Sequence, residues 1–484
     1  MSEMAFCTAG ELARRIRAKE ISSLELTDHY IDRIERLDGD INAVVVRDFD
    51  RARDAARAAD AKLASGEPSG PLHGVPMTIK ESYDLEGLPT TWGLPIFKDN
   101  LAAKDSQSVQ AYRGAGAVFM GKTNVPMNLA DFQSYNDIYG TTKNPWDTSR
   151  GPGGSSGGSA AALAAGLTGL ESGSDIGGSI RNPAHFCGVY GHKPTWGVVP
   201  PQGHALPGMI AGPDIAVCGP LARSAEDLEL SLGVLAGAEP LDRRGWQLTL
   251  PKPQKKSLGE FKVALWPTDD IAPVAGEVAD RVARIGETLA KLGATVSDTA
   301  RPKLDVKASH QTYLNLLNSI LTAGVPPENY EQMQAEAAKL DANDFSDEAM
   351  MARAAVLSHR GWLGSNNFRE SLRYVWREFF DEWDVLICPQ TATPAFEHDH
   401  SDFAVRTLKV DADDQPYFKQ LFWAGLTTCA YLPSTVFPTG PSLTGLPIGL
   451  QAVGAEYDDL VTIDFARLLA DEIGGFVPPP GYRD

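Results

Sequence analysis

GPGGSSGGSAAALAAGLTGLESGSDIGGSIR, residues 151–181, decides how the rest of the chain is read. Of its ten glycines and six serines, eight glycines and five serines gather at two places, GPGGSSGGS and GSDIGGS, on either side of an Ala/Leu run. A flexible linker would stay polar throughout, whereas SAAALAAGL is a strong helix former. Ser155, Ser156 and Ser159 stand where side-chain oxygens cap a helix start. The pattern predicts two tight backbone loops flanking one short buried helix. Glycine lets a backbone approach other groups closely, and successive N–H groups in such loops make a concavity for an anion. In the second loop Ser179 directly follows Ile176, Gly177 and Gly178. Their N–H groups would converge on one oxygen beside a hydroxyl, which is the geometry of an oxyanion hole.

The first loop, taken alone, supports a different reading. Gly153 to Gly157 satisfies G-x-S-x-G, the nucleophile elbow of α/β-hydrolases, with Ser155 as nucleophile. That fold needs an Asp and a His later in the chain, and the last two histidines are His398 and His400, in the acidic stretch FEHDHSD. Upstream, Met77 to Ser82 reads as a short strand carrying Lys80 among apolar neighbours, just after Gly74-Val75-Pro76. A strand lysine is most often a solvated face. Here it precedes two serine loops with no evident His partner, and a desolvated lysine can act as a base.

Lys80 in GVPMTIK, Ser155 in GGSSGGSAAALAAG and Ser179 in GSDIGGSIRNPAHFCGVYGHKPT together resemble the amidase signature family, the Ser-cisSer-Lys amide hydrolases. The resemblance runs from ELARRIRAKEISSLELTDHYIDRIERLDGDINAVV to LPSTVFPTG and GLPIGLQAVG. It implies an α/β fold, a single large domain over 1–484 in which a central mixed, twisted β-sheet is covered by helices on both faces. Within it the signature core spans about 70–230, a variable and mostly helical specificity region about 235–430, and a C-terminal return to the sheet about 431–475. It further implies Ser179 as nucleophile, Lys80 as base and Ser155 as the relay between them. In the family that relay serine follows a cis peptide bond, a form that costs a non-proline residue about 3 kcal/mol. Ile176, Gly177, Gly178 and Ser179 would hold the oxyanion, and Met127, Asn128 and Leu129, with the segment on to Asp131, are candidates for the substrate cleft. Lys80 can accept a proton only if its pKa falls from about 10.4, which burial supplies. Asp175 and Arg181 flank the loop, either orienting it or forming an ordinary ion pair.

The function expected from this resemblance is hydrolysis of a small uncharged aryl or alkyl amide through a Ser179 acyl-enzyme, with esters or carbamates as further substrates. Two alternatives stand beside it: the A subunit of a glutamine-dependent tRNA amidotransferase, and an α/β-hydrolase-type esterase. Glutamine brings an ammonium and a carboxylate, and family members that use it place an acidic residue shortly before the step matched by Leu432-Pro433. From Gln415 to Pro433 there is no Asp or Glu, and Phe418, Leu421, Phe422 and Trp423 make the segment an apolar wall. No cofactor and no metal is implied.

Composition excludes several other classes. The chain has 44 Lys plus Arg against 63 Asp plus Glu, a formal charge of −19, with no basic stripe, which disfavours nucleic acid and anionic membrane as partners. Five widely spaced cysteines (Cys7, Cys187, Cys218, Cys388, Cys429) write neither a disulfide framework nor a zinc site and read as buried thiols. No basic-then-apolar leader and no apolar run of membrane-spanning length is present, so a cytoplasmic location is expected, with a homodimer as one possible assembly. Thr8-x-x-Glu11 and Ser22-x-x-Glu25 open helices at about 9–19 and 23–37, and a third is expected at about 48–65. FKVALW, EVADRVARIGETLAKLG and ATVSD predict a strand–helix–strand unit, 308–382 reads as mostly helical, and FVPPPGYRD as a surface tail.

Overall fold

A computed structural model describes residues 2–341, 343–344 and 346–483. The three N-terminal helices form at Ala9–Arg17, Ser23–Ile41 and Phe49–Ala64. Thr8 Oγ1 accepts the Glu11 N–H, and Ser22 and Glu25 close a full capping box. Both caps satisfy orphan donors, as the two sequence signatures require.

Strands β1 (Val44–Arg47), β2 (Pro76–Lys80) and β3 (Val118–Thr123) form one sheet in the order β1-β3-β2. A short hairpin, β4 (Tyr135–Asn136) and β5 (Gly140–Thr141), follows. The main sheet is built from β6 (Glu171–Asp175), β7 (Tyr190–Lys193), β8 (Val217–Ala222), β9 (Lys262–Leu265), β10 (Thr295–Ser297) and β11 (Val385–Pro389). After a second hairpin, β12 (Thr407–Val410) and β13 (Asp413–Pro416), it is completed by β14 (Ser434–Pro441) and β15 (Pro447–Val453). Its eight strands run in the order β10-β9-β11-β15-β14-β7-β8-β6 and mix parallel with antiparallel pairs. The expected mixed α/β fold is therefore present, and beside the eight-stranded central sheet stand the three-stranded sheet and the two hairpins. β2 lies beside β6 but bonds to it through side chains, Thr78 to Glu171 and Lys80 to Ser174, rather than through a ladder.

Successive residues of a strand point to opposite faces, so neighbours on β14 report what covers each side. Ser434 donates to Gln451, which accepts from Arg181 on the helix Arg181–Cys187, while Thr435 meets Thr462 on the helix Asp459–Ile473. Helices thus cover both faces. The strand–helix–strand unit appears as β9, helix Gly276–Lys291 and β10, with β9 and β10 parallel. The 308–382 region is helical at Val306–Leu321, Pro327–Ala337, Asp347–Ala355 and His359–Phe380. The C-terminal stretch is not a free tail: Phe476 stacks on Phe6 and Arg33 donates to the Tyr482 carbonyl. Among the described residues no helix is long and apolar enough to cross a membrane.

The buried helix between the two glycine loops spans Gly157–Ala164, but none of Ser155, Ser156 and Ser159 caps it. Their hydroxyls serve other partners, Lys80, the Ser174 carbonyl and Thr123 respectively. The cap comes from outside instead, where Ser134 Oγ accepts the Gly157 N–H at 3.1 Å and the Asn124 carbonyl accepts that of Gly158. In a fully buried helix start, orphan donors can be met by any packed acceptor.

Candidate active site

β2 ends at Lys80, and its side chain points from that end into the space between the two glycine loops. Lys80 Nζ lies 2.7 Å from Ser155 Oγ and 2.9 Å from Ser174 Oγ, with the whole side chain buried. Among the described residues no carboxylate pairs with it. Burial without an ion-pair partner disfavours the ammonium and brings the Lys80 pKa down to about 7, even though the Asp175 charge pulls it back up. The Gly154–Ser155 peptide is cis. Ser156 N–H donates to the Ser179 carbonyl at 3.1 Å, which ties the two loops together. Among the described residues the Ser179 hydroxyl has no hydrogen-bond partner, and no histidine bonds to Ser155 or Ser179. His400 instead stacks on Tyr135.

Asp175 shapes the loop that carries Ser179. Its carboxylate accepts the N–H of Gly178 at 2.8 Å and of Ile180 at 3.0 Å, and pairs with Arg181 through Nη2 at 2.9 Å and Nε at 3.0 Å. Burial alone would raise this carboxyl, but the Arg181 charge and the hydrogen bonds win and hold it at about 2. Arg181 also reaches Thr427, Thr428 and Gln451, so the pair anchors the loop to the helix Leu421–Thr428 and to β15. One expectation is corrected here. The Gly178 N–H is committed to Asp175 and is not offered to an oxyanion. The N–H groups of Ile176, Gly177 and Ser179 have no acceptor among the described residues and remain available. Gly178 has φ +102, and a side chain there would strike Gln390.

Tyr313, which sequence reasoning did not single out, sets the orientation of this loop. Its hydroxyl donates 3.0 Å to the Ile176 carbonyl, and because a trans peptide is planar, this fixes the direction of the Gly177 N–H on the same plane. Tyr313 comes from the helix Val306–Leu321, which can approach only because Gly425 presents no side chain to its ring. Ser174, the second partner of Lys80, was also missed; GSDIGG contains it but gives no sign that it faces β2.

An apolar cavity of about 210 Å³ opens at Ser179. Its walls are residues 129–132, Ile176 and Gly177, then Leu317, Asn318 and Leu321 of the helix Val306–Leu321, with Met351, Phe403, Phe418 and Leu421 opposite. Leu129 lies in this wall, whereas Met127 and Asn128 do not: Met127 is 54% exposed, and Asn128 adopts a left-handed conformation in the preceding turn. Phe418 and Leu421 line the cavity, but Phe422 and Trp423 do not. They lie on the other side of the helical turn, in the core, where Trp423 donates to the Ala272 carbonyl. The one carboxylate in the wall, Asp131, is already engaged by Tyr417 at 2.5 Å and Arg406 at 2.7 Å. A larger cleft of about 570 Å³ beside residues 393–399 contains none of Lys80, Ser155 and Ser179. Among the described residues no group of three or more His, Cys, Asp or Glu could hold a metal ion.

Residues 25–462 match the family model described as Amidase. The chain is 33% identical over 477 residues to an indoleacetamide hydrolase of Bradyrhizobium diazoefficiens, covering 96% of this chain and 86% of that protein. It is 32% identical over 484 residues to the A subunit of the glutamyl-tRNA(Gln) amidotransferase of Chromobacterium violaceum, covering 96% and 97%. Its structure superposes on that of a bacterial aryl acylamidase of the amidase signature family with a TM-score of 0.80 and 26% identity, covering 99% and 98% of the two chains.

Proposed function

Because this chain belongs to the amidase family and is an amide-hydrolysing enzyme, we propose that it cleaves a small uncharged arylacetamide-type or alkyl amide through an acyl-enzyme on Ser179. The observation that carries this reading is the contact of a buried Lys80, which has no carboxylate partner among the described residues, with Ser155, close behind a loop whose Ser179 lines an apolar cavity. Neutral Lys80 takes the Ser155 proton, and Ser155 takes that of Ser179 as its Oγ attacks the carbonyl carbon. Ser174 holds the Nζ so that its lone pair meets Ser155. The oxyanion is received by the N–H groups of Ile176, Gly177 and Ser179. The proton then returns through Ser155 to the leaving nitrogen, the C–N bond breaks, and water attacks the ester by the same relay to release the acid.

This assignment fixes the sign of the pH dependence. Protonated Lys80 is inactive as a base, so kcat/KM should climb about tenfold per pH unit below pH 7 and level off above it, following the pKa of about 7. An acid limb centred near 10, where an exposed lysine titrates, or a flat profile from pH 5 to 9 with chemistry rate-limiting, would remove Lys80 from that role.

The similarity to the amidotransferase protein makes glutamine the competing substrate. The cavity does not suit it, since Phe418 and Leu421 are apolar and Asp131 is neutralised internally. An unpaired charge entering such a site costs several kcal/mol. Free glutamine should therefore have kcat/KM at least about tenfold below that of an arylacetamide such as indole-3-acetamide, a difference of only about 1.4 kcal/mol. Ammonia release from the two compounds, measured side by side, tests this, and a preference for glutamine would favour the amidotransferase reading.

A further inference from the structure

The cavity wall contains one side chain whose hydrogen-bonding capacity is not used. Asn318 projects from the helix Val306–Leu321 and is 8% exposed. Its Nδ2 donates 2.9 Å to the Leu314 carbonyl. A carbonyl can only accept, so this bond fixes which end of the amide is which: nitrogen toward Leu314, oxygen away from it. Among the described residues nothing donates to Oδ1. The other polar wall groups are accounted for, Asp131 by Tyr417 and Arg406 and Ser179 by its role as nucleophile. Around Asn318 the surface is apolar: Leu317 and Leu321 on its own helix face, Phe132 and Phe418 across the cavity. Oδ1 is thus a free acceptor on the cavity surface, open to a donor that a ligand brings.

We propose that Asn318 is a specificity-determining residue, whose Oδ1 accepts a hydrogen bond from an N–H or O–H at the ring end of the acyl group. This deepens the reading given above and rests on it. The cavity is smaller than the roughly 300–1,000 Å³ of sites for drug-sized ligands, which restricts the acyl group to one or two rings. The substrate class is then an aryl amide carrying its own donor, of which an indole N–H is the simplest two-ring example. A site built to hydrogen-bond a substrate group discriminates strongly against an analogue that lacks it, because its own polar atom is left unpaired.

The probes are indole-3-acetamide and naphthalene-1-acetamide, which have similar two-ring frames but differ in the ring donor. The full-length wild-type enzyme should favour the indole compound by at least about tenfold in kcat/KM. In Asn318→Leu the ratio should fall to within about threefold of unity, and in Asn318→Asp, which keeps an acceptor, the preference should persist. A merely structural role would lower both rates together and leave the ratio where it was. Equal wild-type rates, or an unchanged ratio in Asn318→Leu, would overturn the assignment; the wild-type comparison does so without needing either variant to fold. If Ser179 is labelled by a fluorophosphonate in these outcomes, only the Asn318 assignment fails. If Ser179 is not labelled and neither amide is hydrolysed, the reading of the site fails with it.

Discussion

Ser179→Ala is expected to lower kcat by about 10⁴-fold or more while leaving the fold intact. In the proposed mechanism Ser179 Oγ is the atom that becomes covalently bonded, in a relay whose members act as a unit. Its hydroxyl has no partner among the described residues, so deletion disturbs no bond. Lys80→Ala should come close to the same loss, and Ser155→Ala should be severe but less complete, since neither residue bonds to the substrate. The measurement is twofold: steady-state turnover of an arylacetamide, and intact-mass analysis after exposure to a fluorophosphonate. Wild-type enzyme should carry one adduct, on Ser179, and Ser179→Ala none. An adduct on Ser155 in an active Ser179→Ala protein would reverse the roles of the two serines and restore the nucleophile-elbow reading of the first loop.

The second large effect belongs to Asp175→Ala, which should lower the unfolding free energy by about 3–5 kcal/mol. Removing one member of a fully buried ion pair leaves the other charge without compensation, and here that charge is Arg181. The substitution also strips acceptors from the Gly178 and Ile180 N–H groups, so the Ser179 loop should lose its shape and turnover should fall with stability. Asp50→Ala supplies the control, because Asp50 is solvent-exposed and meets Arg53 only at 3.7 Å. Urea denaturation of the three proteins decides the matter. A midpoint for Asp175→Ala equal to that of the control would mean the pair contributes nothing to the folded state.

What could be read from the sequence divides by range. Lys80, Ser155 and Ser179 stood out because each sits in a local motif whose glycines and apolar neighbours have a short-range reason. The caps at Thr8 and Ser22 were legible for the same cause. The cap of Gly157–Ala164 was not, because Ser134 approaches from outside and the nearby serines are claimed by distant partners. Tyr313 and Asn318 lie in a region where periodicity says helix and nothing more; which turn of it meets Ile176 depends on packing against Gly425. Composition made the 415–433 segment an apolar wall, yet the 3.6-residue period splits it. Phe418 and Leu421 face the cavity, and Phe422 and Trp423 face the core. Gly178 resembled its neighbours in the loop, and only the placement of the Asp175 carboxylate engages its N–H and takes it out of the proposed oxyanion donors.

The helix Val306–Leu321 carries two duties less than two turns apart, Tyr313 against the Ile176 carbonyl and Asn318 in the cavity wall. Drift in substrate range and loss of rate are therefore epistatic on this element. A substitution that suits a new acyl group but tilts the helix also turns the Gly177 amide, and any side chain at Gly425 would do so by pushing the helix away. Chimeras that import this helix from a relative should recover activity only when its partner helix Leu421–Thr428 is imported with it. In recombination terms the two helices are one cassette, although about a hundred residues of sequence separate them.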